Sequence, residues 1–382
     1  MILGTRKGTL ILRRGKDGWK AEPLGHPGVS VSYAARDPRT GVIWSALEHG
    51  HWGPKLSRSR DCGRTWEDAP QIKYPEGARY IDPFTEISQN KSRYKAASLM
   101  KIWVLGFGAE SQPGRIYAGT IPGGLFVSND GGESFELNLP LWNHESRGGD
   151  LFAGDGTGKS FWSGGGLGIN GEHAAGIHSL VVDPRNPKRL LVGVSCAGVV
   201  ETTDDGRTWR GLNDGLRMDY GPDPTPPWGH DVHFMALCPA QPDHLWQQNH
   251  FGVFYSSSGA KKWKIVSKKG ALVHFGFPVA VDERDGKTAW VVPGRADDQR
   301  MAVDGALCVA RTEDGGRTWK ALRKGLPQKN AWDVVFRHAL DIAGDCLAFG
   351  STTGNLYFSR NRGESWECVG SNFPPIHSVR FA

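Results

Sequence analysis

Hydrophobic and polar positions alternate along this chain in short runs, and the runs come in groups of four. The clearest group opens with Ile177-His178-Ser179-Leu180-Val181-Val182 and stops at Asp183-Pro184. Leu190-Leu191-Val192-Gly193-Val194 follows, then Gly198-Val199-Val200-Glu201-Thr202, then a run that begins at Trp209. Short β-rich runs bounded by Gly, Pro and Asp predict strands joined by tight turns. The grouping predicts four-stranded sheets, with strands 1 to 4 counted outward from a common axis. The Trp or Phe that opens strand 4 falls at residues 19, 66, 135, 209, 263, 319 and 366. That spacing centres on roughly fifty residues, the size of a propeller blade.

The two ends of the chain complete each other in this scheme. Residues 1–4, 8–13 and 19–23 read as strands 2, 3 and 4 with no strand 1 before them. Ile376-His377-Ser378-Val379-Arg380-Phe381 reads like residues 177–182. The last strand is therefore expected to supply strand 1 of the first blade, which removes the exposed edges of an open sheet. The expectation is an all-β, seven-bladed propeller forming one domain over residues 1–382. Its blades fall at 377–382 with 1–24, 29–70, 100–140, 176–213, 231–267, 275–323 and 332–370.

Between strands 3 and 4 an octapeptide recurs. Ser59 to Trp66 reads Ser-x-Asp-x-Gly-x-Thr-Trp, and the pattern returns at 202–209 and 312–319. Residues 128–135 end in Ser134-Phe135, residues 359–366 carry Asn361 for the Asp, and residues 256–263 keep only the first Ser and the last Trp. Each copy suits a hairpin turn. The carboxylate accepts loop N–H groups, the Gly supplies a positive φ, and the Trp packs beneath the turn. These octapeptides resemble the Asp-box, or BNR, repeat of sialidase-like β-propellers, in which the motif is structural. The chain as a whole is similar to bacterial single-propeller BNR proteins with sialidase-like or glycosyl-hydrolase-like names. The likeness is carried by residues 37–41, Gly229-His230-Asp231-Val232-His233, Gln247-Gln248-Asn249-His250 and Phe275-Gly276-Phe277-Pro278. It implies a seven-bladed ring. Gly114-Arg115-Ile116-Tyr117 lacks the Pro of the sialidase Arg motif and begins a strand 2, which argues against sialidase activity.

Composition agrees with many short strands: 52 Gly, 23 Pro and 15 Trp in 382 residues. The net charge is +6, with the basic residues read as scattered, so no nucleic acid is expected as partner. None of the six cysteines forms a Cys-x-x-Cys pair, and no apolar stretch reads as a leader or a membrane span. The expected setting is the cytoplasm.

Strand direction alternates, so the octapeptide turns share one face, while the 4–1 and 2–3 connections share the other. The second face is the elaborated one, with long connections at 71–99, 141–175 and 214–230 and a loop at 293–305. Long loops in compact folds tend to carry function. The Gly-rich stretch 147–176 reads as a lid or surface loop on this face.

Histidines gather on the same face. His178, His233 and His377 open strand 1 in three blades, His230 and His274 precede two of them, and His250 follows strand 2 of the fifth. His178, His233 and His250 are the candidate ligands of one divalent transition metal, because neighbouring imidazoles suit Zn or Cu. Asp231 is the nearby partner or base, and His377 is expected to pair with the Glu48-His49-Gly50-His51 turn. The candidate catalytic set is Asp231, Glu48, Arg295 and Arg337, the last assigned to the innermost strand of the seventh blade. Arg147 and Arg300 are further cations for an anionic group. Asp150, Asp155, Glu172, Asp297, Asp298 and Asp333 complete the carboxylates available for acid–base work. Two functions follow from this set. One is a hydrolase or lyase at the channel mouth, acting on a glycan or small polar molecule. The other is a binding or assembly propeller with a protein partner and no turnover.

Overall fold

The computed structural model describes residues 1–82, 94–154, 160–162, 166–167, 173–219 and 222–382. Asp155 and Glu172, and other residues of the Gly-rich stretch, lie outside these. Among the described residues, seven antiparallel sheets have four strands each, and two further sheets have two strands. The chain is a seven-bladed β-propeller.

Two compact units divide the chain. The first comprises Met1–Glu48, Ser57–Glu67 and His233–Ala382; the second comprises His49–Leu56 and Asp68–Val232. In the first unit the fifth, sixth, seventh, first and second blades follow one another. Their innermost strands are Val232–Cys238, Gly276–Val281, Leu340–Ala343, Ile376–Arg380 and Ser30–Arg36. Inner and second strands read as near-continuous apolar runs because a blade is packed on both of its faces. Leu190–Val194 and Ala289–Pro293 are buried at every position. Outermost strands are short and polar, as Glu67–Asp68 shows.

The C-terminal strand takes the place the sequence gives it. Ile376–Arg380 pairs antiparallel with Ile2–Thr5, matching Leu3 to Val379 and Gly4 to Ser378. Ser378 Oγ accepts from the Gly4 N–H at 3.2 Å and from the Ala34 N–H at 3.1 Å, so one hydroxyl serves the first and second blades. On the other side the Val379 N–H donates to the His338 carbonyl at 2.9 Å.

The octapeptide turns share one geometry. In the second blade, Asp61 Oδ1 accepts from Ser59 Oγ and from the Arg64 and Thr65 N–H groups, and Oδ2 accepts from Thr65 Oγ1. Ser59 Oγ in turn accepts from the Gly63 N–H at 2.8 Å. Asp130, Asp204 and Asp314 repeat the pattern. Asn361 substitutes its Oδ1 for the carboxylate and donates from Nδ2 to Ser365. The fifth position has φ of 89° at Gly63 and 83° at Gly206, conformations open to Gly at little cost.

These carboxylates make the turns acid-sensitive. The hydroxyl and then the N–H of Thr65 and of Thr208 hold Asp61 and Asp204 at about 2, against an ordinary 3.8. The Thr318 N–H does most for Asp314, also at about 2. A folded pKa below the unfolded one stabilises above the unfolded value, and that stability is lost as pH falls through the folded one. Melting midpoints are therefore expected to drop as pH goes from about 3.8 to about 2. The triple variant Asp61→Asn, Asp204→Asn, Asp314→Asn, which copies the chain's own Asn361, is expected to flatten that decline. An equally steep acid limb in the triple variant would refute the assignment.

Candidate functional site

His178, His233 and His377 are each the second residue of an innermost strand. The repeat gives them one register position, but their neighbours differ. His233 is buried and its Nδ1 donates to the Gly276 carbonyl at 2.6 Å, since a carbonyl only accepts. That bond fixes the ring and leaves Nε2 as the nitrogen with a lone pair. The ring stacks on Phe277, with centroids 4.7 Å apart and planes 26° apart. His250 meets it edge-on at 5.5 Å. His250 stands between the strands Gln241–Asn249 and Gly252–Ser256, on a turn braced by side-chain amides. Gln248 Nε2 donates to the Asn249 and His274 carbonyls, and Asn249 Oδ1 accepts from the Phe251 N–H.

Asp231, His233 and His250 offer ligand atoms that all lie within 4.8 Å of one another. The boundary between the two units falls at Val232, inside a single strand, so Asp231 and His233 are two residues apart on one continuous stretch. Asp231 Oδ1 also accepts from the Cys196 N–H at 3.3 Å. A carboxylate and two imidazoles are a donor set for a transition-metal ion. A tetrahedral ion with bonds of about 2.0–2.1 Å spaces its ligands roughly 3.4 Å apart, a spacing that lies inside the 4.8 Å bound on these atoms.

His178, the third expected ligand, is not a member of that group; it is buried and packs edge-on against Trp103 at 4.9 Å. Asp231, expected as partner or base, stands in the group instead. His377 Nδ1 donates to the Val31 carbonyl at 3.0 Å, and Glu48, at the end of the strand Ile43–His49, accepts from Ser30 Oγ at 3.0 Å. His49 Nδ1 accepts from the N–H groups of His51 and Trp52, closing its own turn.

The arginines separate in the same way. Arg337 precedes the innermost strand Leu340–Ala343 rather than lying in it, and its Cζ sits 5.1 Å from the centre of the Phe277 ring. Arg300 Cζ is 5.4 Å from the same ring, and Arg300 pairs with Asp297. Phe277 thus carries the imidazole of His233 and two guanidinium groups around one ring, with Phe275 and Phe336 edge-on to it. Reading the sequence by charge and histidine alone misses Phe277 as the organiser; its place two residues into a strand after a Gly is the signal available. Arg295 is exposed on the loop.

Arg147 belongs to the second unit and is buried. Its Nη1 donates to the Gly123 carbonyl, and its Cζ lies 4.1 Å and 4.0 Å from the rings of Trp142 and Trp162. Burial pushes its pKa down, to about 9, and it stays cationic at neutral pH. It clamps the connection rather than facing a ligand. Among the other carboxylates, Asp333 is buried and its Oδ1 accepts from Ser351, Thr353 and Asn355. Asp150 Oδ1 accepts from the Phe152 and Ala153 N–H groups.

No protein-family model matches the chain, and no characterised protein matches it by sequence. Solved structures do. An ancestral GH74 enzyme aligns with TM-score 0.57 at 13% identity over 88% of this chain, which spans 38% of that one. YCF48 from Cyanidioschyzon merolae gives TM-score 0.54 at 15% identity, covering 93% of this chain and 88% of that one. A putative 6-phosphogluconolactonase from Bacteroides fragilis gives TM-score 0.57 at 11% identity, covering 100% and 97%. At these identities the likeness concerns the propeller fold. No helix among the described residues is long and apolar enough to cross a membrane.

Proposed function

We propose that Asp231, His233 and His250 hold one divalent transition-metal ion and that the chain is a hydrolase or lyase acting on a glycan or small polar molecule. The observation that carries this is the convergence of three ligand atoms within 4.8 Å, from the start of the strand Val232–Cys238, the residue just before it and the turn after the next strand. In such a site the ion would polarise a substrate oxygen and acidify a bound water. The chain's own groups do the rest. The Gly276 carbonyl orients His233, Phe277 supports its ring, and Arg337 offers a fixed positive charge to an acidic group of the substrate. A two-carboxylate mechanism is less well supported, because Asp333, Asp297 and Asp150 are each engaged in hydrogen bonds or an ion pair. We read the octapeptide turns as Asp boxes, the chain as a single propeller domain, and its kind as glycosyl-hydrolase-like; the GH74 enzyme among its structural neighbours supports that reading.

The engagement of those same carboxylates favours one second reading, a binding or assembly propeller without turnover. Elemental analysis of protein purified without a His tag decides the metal. Near one equivalent of Zn, Cu or a similar ion is expected, falling by about tenfold or more in His233→Ala. Activity on a panel of glycosides and uronates is expected to fall with it. Negligible metal in the parent protein, or an unchanged content in the variant, would remove the proposal, and saturable binding of a protein partner without any product would establish the second reading.

A further inference from the structure

One repeat has lost its acid and kept its shape. In the fifth blade the turn reads Ser256-Ser257-Ser258-Gly259-Ala260-Lys261-Lys262-Trp263, with Ser258 where four other copies have Asp and Lys262 where they have Thr or Ser. Ala260 stands where those copies have Gly and holds φ at 68°, a conformation that costs a residue with a Cβ of the order of 1 kcal/mol. The turn still closes, through Ala260 N–H to Ser256 Oγ at 3.2 Å and Lys262 N–H to Ser258 Oγ at 3.1 Å. Shape is preserved here while charge is reversed.

The change is not confined to the turn. Five lysines fall between residues 261 and 269, and Lys287 and Arg317 join them from the sixth blade. Lys262, Lys264, Lys287 and Arg317 line a groove of about 590 Å³, and Lys268 and Arg317 line a second of about 440 Å³, so Arg317 is common to both. Forty-six basic residues against 40 acidic ones give the chain its +6. The seven cations of this region exceed that excess by themselves. The one carboxylate among the lining residues is Asp314, which is already occupied by Thr312 and Thr318 in its own turn. Lys262, Lys264 and Lys287 make no ion pair among the described residues. Lysine on an outer strand is a common guard against edge pairing, but that need does not account for Lys287 and Arg317, which come from two turns of the next blade.

We propose that these grooves between the fifth and sixth blades bind an acidic polypeptide segment. Charge complementarity sets the sign of the partner. The aromatic groups set its class. Trp263 is 2% exposed, the Trp319 Nε1–H donates to the Val266 carbonyl, and the Tyr255 hydroxyl bonds to His244. Trp263 is thereby withdrawn from the base stacking on which single-stranded nucleic acid relies, and the polar ends of Trp319 and Tyr255 are tied to the protein. The concave lining suits a chain rather than a flat lipid surface. This surface is independent of the metal site.

The test is fluorescence anisotropy of the full chain with a labelled Glu- and Asp-rich peptide of about a dozen residues, at about 50 mM salt where screening is weak. Saturable binding is expected. The triple variant Lys262→Glu, Lys264→Glu, Lys287→Glu is expected to weaken it by roughly tenfold or more, and the neutral triple Lys262→Gln, Lys264→Gln, Lys287→Gln by less. A control that reverses Lys7, Lys16 and Lys324, exposed lysines elsewhere, is expected to stay within about twofold of the parent. The neutral triple keeps the test decisive if the reversed one does not fold. Absence of saturable peptide binding would overturn the proposal, as would equal loss in the control. Tighter binding of an oligo-dT strand or of phosphatidylserine vesicles than of the peptide would overturn it in favour of those partners.

Discussion

A chain that stops at Pro375 is expected to lose its cooperative melting transition and to aggregate. Ile376 and Val379 are fully buried, and burying each such side chain is worth about 1.5–3 kcal/mol. The strand they sit on also supplies the ladder to Ile2–Thr5 and the shared acceptor Ser378 Oγ. With those terms the loss is on the order of 5 kcal/mol or more, against a usual total of about 5–15 kcal/mol. Truncation also bares the edge of Ile2–Thr5, which becomes a template for pairing with other chains. A graded version is available in Ser378→Ala. It leaves the buried N–H groups of Gly4 and Ala34 without their acceptor, each at about 1–3 kcal/mol, while the strand stays in place. The ordering expected in thermal and denaturant melts is parent, Ser378→Ala, then truncation. A truncated chain with the parent's melting curve would show that the strand does not close the first blade.

The closing strand was legible because residues 376–381 repeat residues 177–182, and the blades were legible because the turns repeat. The site was legible only in part. His178 and His233 occupy the same strand position, yet a strand position does not specify what faces it. Trp103 packs against one ring and Phe277 against the other, and these partners come from different stretches of the chain. The Gly276 carbonyl that orients His233 is a backbone group, invisible to any reading of residue types. Arg337 follows the apolar residues Val334, Val335 and Phe336, a run that a strand and a non-strand core segment share. Val334 and Val335 are buried and Phe336 is partly buried, in a segment that enters the strand only at Leu340. The basic groove is hidden in the sequence for a related reason. Its lysines are spread along residues 261–269 among apolar ones, and Lys287 and Arg317 reach it only through the folding of the sixth blade.

The Asp-Pro that ends a first strand leads to the second large effect, inside the fourth blade. Asp183 and Glu201 are both buried, and Arg189 lies between them. Its Nη1 donates to Asp183 Oδ2 at 2.7 Å and its Nε to Glu201 Oε1 at 2.6 Å. Arg185 and Arg210 complete the set from the more exposed side. Burial on its own would raise the Asp183 carboxyl, but the Arg185 and Arg189 side chains outweigh it and hold the group at about 2. Arg189→Met keeps most of the volume and removes the central charge. Two buried carboxylates are then left with only their outer partners. Breaking a buried pair from one side costs about 3–5 kcal/mol, and that is the loss expected in a denaturant melt at neutral pH. The sign of the pH dependence separates this from a packing defect. With Arg189 gone the Asp183 carboxylate loses one of the two guanidinium groups that hold it low, so protonating it relieves buried charge. The deficit of the variant relative to the parent is therefore expected to shrink as pH falls from 7 towards about 4. In the triple variant Arg189→Met, Asp183→Asn, Glu201→Gln, most of the lost stability is expected to return at pH 7, because no charge is stranded. A deficit that is constant with pH, or a triple variant no more stable than the single one, would show that Arg189 acts through packing alone.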